Sequence, residues 1–508
     1  MQLPTTRSQR GRLPYKWIVV IVVIFGSFMS ILDQTVVNNA LPRLQSAFGA
    51  DLNSLQWILT AYTLTQGVVT PTTAFFANRL GTKRFYIIAL VLFTGGSALC
   101  GLAWSLPALI VFRVIQAIGG ATLFPLAIAL LFHEFPPQQR GLAAGMLSVS
   151  ALMAPAIGPT LGGYIVTYAS WSLIFYINVP VGVLAIIMAV MLLREPASKS
   201  RAHFDLLGFA LAATGLPAVL YAFSSVGSDD WGSPTVLIPL IVGLCLLVLL
   251  VIVELRVAQR GGSPLVDLRL FGNGPFLNSN IANALISFSF FGSIILLPIY
   301  LQELRGLSAF QAGLFTLPLA FAAVLAAMIG GRVVDRLGPR VVLFPGLVLM
   351  CLSAWQLATI TLTTSTWWLL MILAVRGFGL GLLLQPLTVS SLSTVTRDQY
   401  TQGSSLSTVT RFTFTSLGIA VLATFVQSRA PGHISDLLQH TRPLSQAALA
   451  LVRRQGLNLA VQDAFWLSLI VLIPAFVAIY LIRVPKPVSQ DEKKIPAAEQ
   501  AVEQVSGA

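Results

Sequence analysis

Charge is what this sequence has least of. Only 10% of its 508 residues are Asp, Glu, Lys or Arg, 56% are apolar, and the mean hydropathy is +0.82. A water-soluble chain of this length cannot hide so much apolar surface, so the protein is expected to cross a membrane many times. Acidic residues are the scarcer sign, 18 against 31 basic. The surplus of +13 would suit nucleic acid if it were gathered in a soluble domain, but the cations fall between apolar runs and no nucleic-acid partner is expected. Cysteine is nearly absent: Cys100, Cys245 and Cys351 each sit alone inside an apolar run, which excludes a disulfide framework and a thiolate metal site. The four histidines, His133, His203, His433 and His440, lie in connections and form no ligand pair. There is no Walker loop, dinucleotide fingerprint, G-x-S-x-G or H-E-x-x-H. No enzyme, cofactor or metal is expected.

What is present is a series of long apolar runs, at 15–39, 54–77, 85–104, 107–132, 141–167, 173–193, 205–226, 234–256, 276–302, 309–331, 341–361, 367–392, 402–426 and 462–483. They predict an all-α fold of fourteen transmembrane helices. The first follows a basic tail (Arg7, Arg10, Arg12, Lys16) as a signal peptide would, yet it is too long and no small-residue cleavage site follows, so it is expected to stay. Of the basic residues, 22 lie on the side of the N-terminus, 6 on the opposite side, and Arg113, Arg376 and Arg411 within runs. That asymmetry predicts that both termini are cytoplasmic.

The chain repeats itself. Asn78-Arg79-Leu-Gly81-Thr-Lys83-Arg84 after the second run is echoed by Asp335-Arg336-Leu-Gly338-Pro-Arg340 after the tenth, at an offset of 257. Gln116 and Gly119 with Pro125 are echoed by Arg376 and Gly379 with Pro386, at offsets of 260 and 261. Two halves of six helices leave the seventh and eighth unpaired. The expected organisation is a six-helix bundle with its N-tail over 1–204 and two inserted helices over 205–256. A second bundle follows over 257–483, with an extracytoplasmic loop at 427–461, and then a disordered cytoplasmic tail over 484–508.

Against this background one carboxylate stands out. Asp33 ends an uncharged run that starts at Trp17, 17 residues beyond Lys16. That is roughly 25 Å into a hydrocarbon core about 30 Å thick. An ionisable group there costs several kcal/mol, so it is either satisfied structurally by a partner or present to take up and release a proton. Arg113 is the natural partner, the alternative being that it snorkels to the interface. Pro155-Ala-Ile-Gly158-Pro159-Thr-Leu-Gly162-Gly163 would ruin a soluble helix; in a membrane it makes a bend and a smooth face for another helix. The Arg79–Arg84 turn needs glycine for the reversal, and taken alone it marks only topology.

Together these residues resemble the major facilitator superfamily, and within it the fourteen-helix drug:proton antiporter family of multidrug efflux transporters, over nearly the whole chain. Leu32-Asp33-x-Thr-Val-Val-Asn38…Leu41-Pro42 is similar to the family's first-helix motif, Arg79–Arg84 to the loop motif, and Arg113–Ala121 to the fourth-helix motif. Gly158–Gly163 is similar to the antiporter motif, and Phe175-Tyr-Ile-Asn178-Val-Pro180-Val-Gly182 and Leu297-Pro298-Ile-Tyr300-Leu-Gln302 also match. The departures are Ala74 and Asn78, where the family has Gly and Asp, and Ala117 for Gly. The acidic form of the loop survives only at Asp335.

The resemblance implies proton-coupled export of lipophilic organic compounds or drugs by alternating access of two six-helix bundles in the cell membrane. Asp33 and Arg113 would couple the proton. Asn38, Trp57, Tyr62, Gln66, Gln116, Phe291, Arg376 and Arg411 are the candidate cavity residues. Asn78, Arg79, Gly81, Lys83, Arg84, Gly158, Pro159, Gly162, Gly163, Gly331, Asp335, Arg336 and Gly338 would serve the conformational change. The partners implied are the substrate, protons and the lipid bilayer, with an extracytoplasmic adaptor protein as an option and otherwise a monomer. The family favours cationic substrates. Three arginines at membrane depth against one carboxylate keep an anionic amphiphile or an endogenous metabolite as the alternative, and a non-transporting receptor of the same fold is the reading from another class.

Overall fold

The computed structural model describes residues 14–49, 52–195, 205–226, 231–260, 262, 264–265, 267–439 and 446–483. Among them are fourteen long helical segments and no strand. The first six are α1 (Tyr15–Phe48), α2 (52–80), α3 (Thr82–Gly101), α4 (Leu106–Glu134), α5 (Arg140–Tyr168) and α6 (Leu173–Leu192). Then come α7 (Leu206–Ser225), α8 (Pro234–Gln259), α9 (Gly274–Leu304), α10 (309–337), α11 (Arg340–Leu357), α12 (Thr366–Leu392), α13 (Tyr400–Gln439) and α14 (Gln446–Leu481).

Twelve of these are long and apolar enough to cross a membrane. The expectation of fourteen is met in helices, and twelve of them qualify as spans among the described residues. Helix α2 is broken by a 3₁₀ turn at Thr70–Thr72. Proline inside a helix frees the carbonyl four residues back. At Pro125 of α4 that carbonyl is Ala121's, and Thr70 of the broken turn donates its hydroxyl to it at 3.4 Å. The break in one helix thus answers the proline in its neighbour.

Packing in the first half is repeated in the second. The pairs α1–α5, α2–α4 and α3–α4 correspond to α9–α13, α10–α12 and α11–α12. Helices α7 and α8 pack on each other, with α7 against both α2 and α13. The fold is two six-helix bundles with two inserted helices beside them. The boundary placed at 204 and the tail from 484 fall outside the described residues.

The hydrophobic core differs between the two ends of the bundle. At the end where α1 begins, here called the basic end, one core joins both halves, running from Val19, Phe93 and Phe132 to Phe276, Leu392 and Tyr400. At the opposite end the cores are separate, one around Leu44, Leu109 and Phe175, the other around Tyr300, Leu369 and Phe465. The basic end is therefore closed. Asp335 at the end of α10 accepts from the backbone N–H of Gly141 and Leu142, the first turn of α5, at 2.8 and 2.9 Å. Beside it Gly141 and Gly331 meet backbone to backbone, and a Cβ on either would collide with the other helix. Tyr400 opens α13 and packs against Phe132 of α4 and over the Arg140 guanidinium.

The stretch 427–461 is not the expected loop. Helix α13 runs on to Gln439 and α14 starts at Gln446, so this stretch is largely a helical hairpin. It is tied by His433 to Asp463 at 2.8 Å and by Asn458 Nδ2 donating to the Ile360 carbonyl at 3.1 Å. The apolar run ends near 426, but backbone hydrogen bonding does not depend on side-chain apolarity, and the two chains hold each other beyond it.

Candidate functional site

Five helices, α1 among them, bring polar side chains together around one carboxylate. Asp33 of α1 accepts from Arg113 Nη1 at 2.5 Å, from Gln116 Nε2 at 2.9 Å and from Asn178 Nδ2 at 2.9 Å. Arg113 and Gln116 are three apart, hence on one face of α4, and Arg113 Nη1 also donates to Gln116 Oε1 at 2.7 Å. Asn178 of α6 is oriented by Ser97 of α3, whose hydroxyl accepts from it at 3.1 Å while donating to the Phe175 carbonyl at 2.9 Å. The Tyr62 ring of α2 lies 4.0 Å from the Arg113 guanidinium carbon. Asp33, Arg113, Gln116, Asn178 and Tyr62 are all buried.

A lone charge at such a place is prohibitive. An opposite charge with further hydrogen bonds to the spare lone pairs makes it tolerable. In this arrangement the Asp33 carboxylate faces one guanidinium, and two amides donate to its oxygens.

The remaining predicted residues divide. Gln116 and Tyr62 belong to the site. Gln66 is buried one turn along α2, outside the hydrogen-bond set. Trp57 does not: it is 45% exposed and stacks on Tyr221 of α7 at 6.0 Å. Five residues from Tyr62 is about 140° around the helix, so the two side chains cannot share a face. Phe291 lies edge-on to Phe290 at 5.1 Å. Arg411 sits over Phe124 of α4 at 4.7 Å and joins the halves away from Asp33. Arg376 Nη2 donates to Ser293 Oγ of α9 at 2.5 Å, with the Phe290 ring 5.3 Å from its guanidinium. Of Asn38, Pro159 and Gly163 only the helical backbone is described.

The motif residues are placed at the joints. Gly81 and Gly338 take φ of +94° and +87°, values costly for any other residue, at the two equivalent turns. Glu195, after α6, accepts from the backbone N–H of Lys83 and Arg84, each at 3.2 Å, a partner sequence reasoning did not name. Lys83 Nζ donates to the Val190 carbonyl at 3.0 Å. Arg79 and Arg336 are exposed, and Asn78 makes no hydrogen bond among the described residues. Gly158 and Gly162 face α1 at Thr35 and Val36.

Asn178 is the residue missed as a site member. The signal was there, a single amide inside the apolar run at 173–193, though nothing in the pattern said which way it points. A separate apolar cavity of about 220 Å³ opens between the inserted pair and the two halves, lined by Pro71, Leu216, Leu250, Leu265, Ser405 and Val409. It does not touch Asp33.

A profile of the Major Facilitator Superfamily matches residues 23–421, from within α1 to within α13. The chain belongs to the Major Facilitator Superfamily. An MFS-type transporter of Bacillus subtilis, YhcA, is 32% identical over 86% of this chain and 81% of its own. The multidrug export protein EmrB of Escherichia coli is 29% identical over 89% of this chain and 92% of its own. Among solved structures, the human organic anion transporter MFSD10 superposes with a TM-score of 0.61 at 16% identity, over 91% of this chain and all of that one, which speaks for the fold alone. This MFS protein is thus a multi-pass membrane protein of a transporter family, not of an enzyme family, with relatives named as multidrug transporters.

Proposed function

We propose that this MFS protein is a proton-coupled exporter of lipophilic organic compounds. The observation that carries the proposal is Asp33: a carboxylate enclosed within the bundle, held by three donors from α4 and α6. Protonating Asp33 removes the charge that holds Arg113, so proton uptake and the loosening of α1 from α4 and α6 become one event. The 22-to-6 distribution of basic residues supports placing both termini in the cytoplasm. In that orientation the closed basic end faces the cytoplasm. A proton then reaches Asp33 from the far side as substrate leaves, and the contact of Asp335 with α5 must break for the next substrate to enter. Relatives named for multidrug export support the substrate class.

The test uses the full chain in proteoliposomes, with a lipophilic dye and an imposed proton gradient. Asp33→Asn is expected to abolish gradient-driven dye movement while the protein still inserts, and Asp33→Glu to retain part of it. Wild-type transport by Asp33→Asn would show that the carboxylate is structural and that coupling lies elsewhere.

A further inference from the structure

The repeat carries the first-half site onto a counterpart in the second half. At an offset of 260, Asp33 falls on Ser293 of α9, Gln116 on Arg376 of α12, and Arg113 on Leu373. The contact survives the transfer: Gln116 Nε2 reaches Asp33 at 2.9 Å, and Arg376 Nη2 reaches Ser293 Oγ at 2.5 Å. The charge does not. In the first half a carboxylate is matched by a guanidinium. In the second a guanidinium faces a hydroxyl, and the position equivalent to Arg113 is an aliphatic side chain.

Arg376 is 3% exposed, so it does not snorkel. It makes no ion pair among the described residues, and its Nη1 has no hydrogen-bond partner. Its titratable neighbour is the thiol of Cys351 on α11. Ten residues into α12, it stands about 15 Å from the start of the helix. A cation at that depth with spare donors and no anion is expensive to keep. The planar fork of donors is suited to a carboxylate or sulfonate, and the Phe290 ring beside it, with Phe291 edge-on, is suited to an aromatic body.

We infer that Arg376, with Ser293 and Phe290, forms a binding subsite for the acidic group of an aromatic amphiphile. Its place in transport rests on the export reading above; its binding does not. In this assignment Arg113 is occupied by Asp33 while Arg376 faces no anion among the described residues, so the second half recognises charge while the first half handles the proton.

Binding is measured on the full chain in nanodiscs without a proton gradient, so that failure of this site and failure of proton-driven export are read separately. The probes are 1-anilinonaphthalene-8-sulfonate and its uncharged parent N-phenyl-1-naphthylamine, with empty nanodiscs subtracting partition into lipid. Saturable binding of the sulfonate is expected to weaken about tenfold or more in Arg376→Gln, the scale of a charge-assisted hydrogen bond, and by much less in Arg376→Lys. Binding of the uncharged parent should stay within about twofold in both variants, which a folding defect would not allow. Equal weakening of both probes, unchanged sulfonate binding in Arg376→Gln, or no saturable sulfonate binding to the wild type would each overturn the assignment.

Discussion

Replacing Asp335 by asparagine tests how the basic end is held shut. The two carboxylate oxygens of Asp335 accept from the Gly141 and Leu142 N–H groups, at 2.8 and 2.9 Å, where α5 begins and its N–H groups have no helical partner. An asparagine keeps one acceptor oxygen, so one of the two bonds is lost. The negative charge at the helix N-terminus is lost with it. A hydrogen bond to a charged group contributes about 1.5–3 kcal/mol and the charge–dipole interaction about 0.5–1. Allowing for the bond that remains, Asp335→Asn should weaken the closed state by about 2–3 kcal/mol, which shifts the balance toward opening at the basic end roughly 30- to 150-fold. The pseudo-equivalent Asn78 makes no hydrogen bond among the described residues, so no matching contact there replaces it. Spin labels at Gln138→Cys and Leu337→Cys, both exposed, would report the α5–α10 separation in a background lacking the native cysteines. The variant should show a new, longer distance population and slower export. A distance distribution and export rate equal to wild type would refute the reasoning. Asn78→Asp should be tolerated.

Other consequences follow from the site and from the charge pattern. Asn178→Leu removes one of the donors to Asp33 and leaves Ser97 without its amide partner. It should slow proton-driven transport about tenfold while binding of an uncharged dye changes little, and equal rates would exclude Asn178 from the coupling network. Trp57→Ala should leave central-site dye binding intact, because Trp57 stacks on Tyr221; a loss of binding at the level of Tyr62→Ala would return Trp57 to the cavity. A cysteine at Gly306 should react with an impermeant maleimide in intact cells and one at Gly262 only after permeabilisation, and the reverse pattern would invert the topology.

Much of the fold was legible because its causes are local. Apolar runs of membrane length form helices wherever they are inserted, without any knowledge of packing. The repeat at Arg79 and Arg336 located the two halves and left α7 and α8 as the insert. Where local cause fails, the reading failed too. Apolarity ended the hairpin at 427–461 too early, since α13 and α14 continue as polar helices held by each other and by the Ile360 carbonyl. Trp57 was placed in the cavity by depth alone, though the rotation of α2 turns it to the inserted pair.

Asp33 and Arg113 were named from composition, because a single carboxylate inside an apolar run leaves few candidates for its partner. Their geometry belongs to the tertiary structure. Residues 33, 62, 97, 113, 116 and 178 come from five helices, and only the packing of α1 against α4 and α6 decides that Asp33 receives three donors rather than one. The same holds for Arg376. The sequence determined that a cation lies within α12, but only the position of Ser293 across from it decided that no anion among the described residues answers it, because burial and partnership are properties of neighbours in space and not of neighbours along the chain.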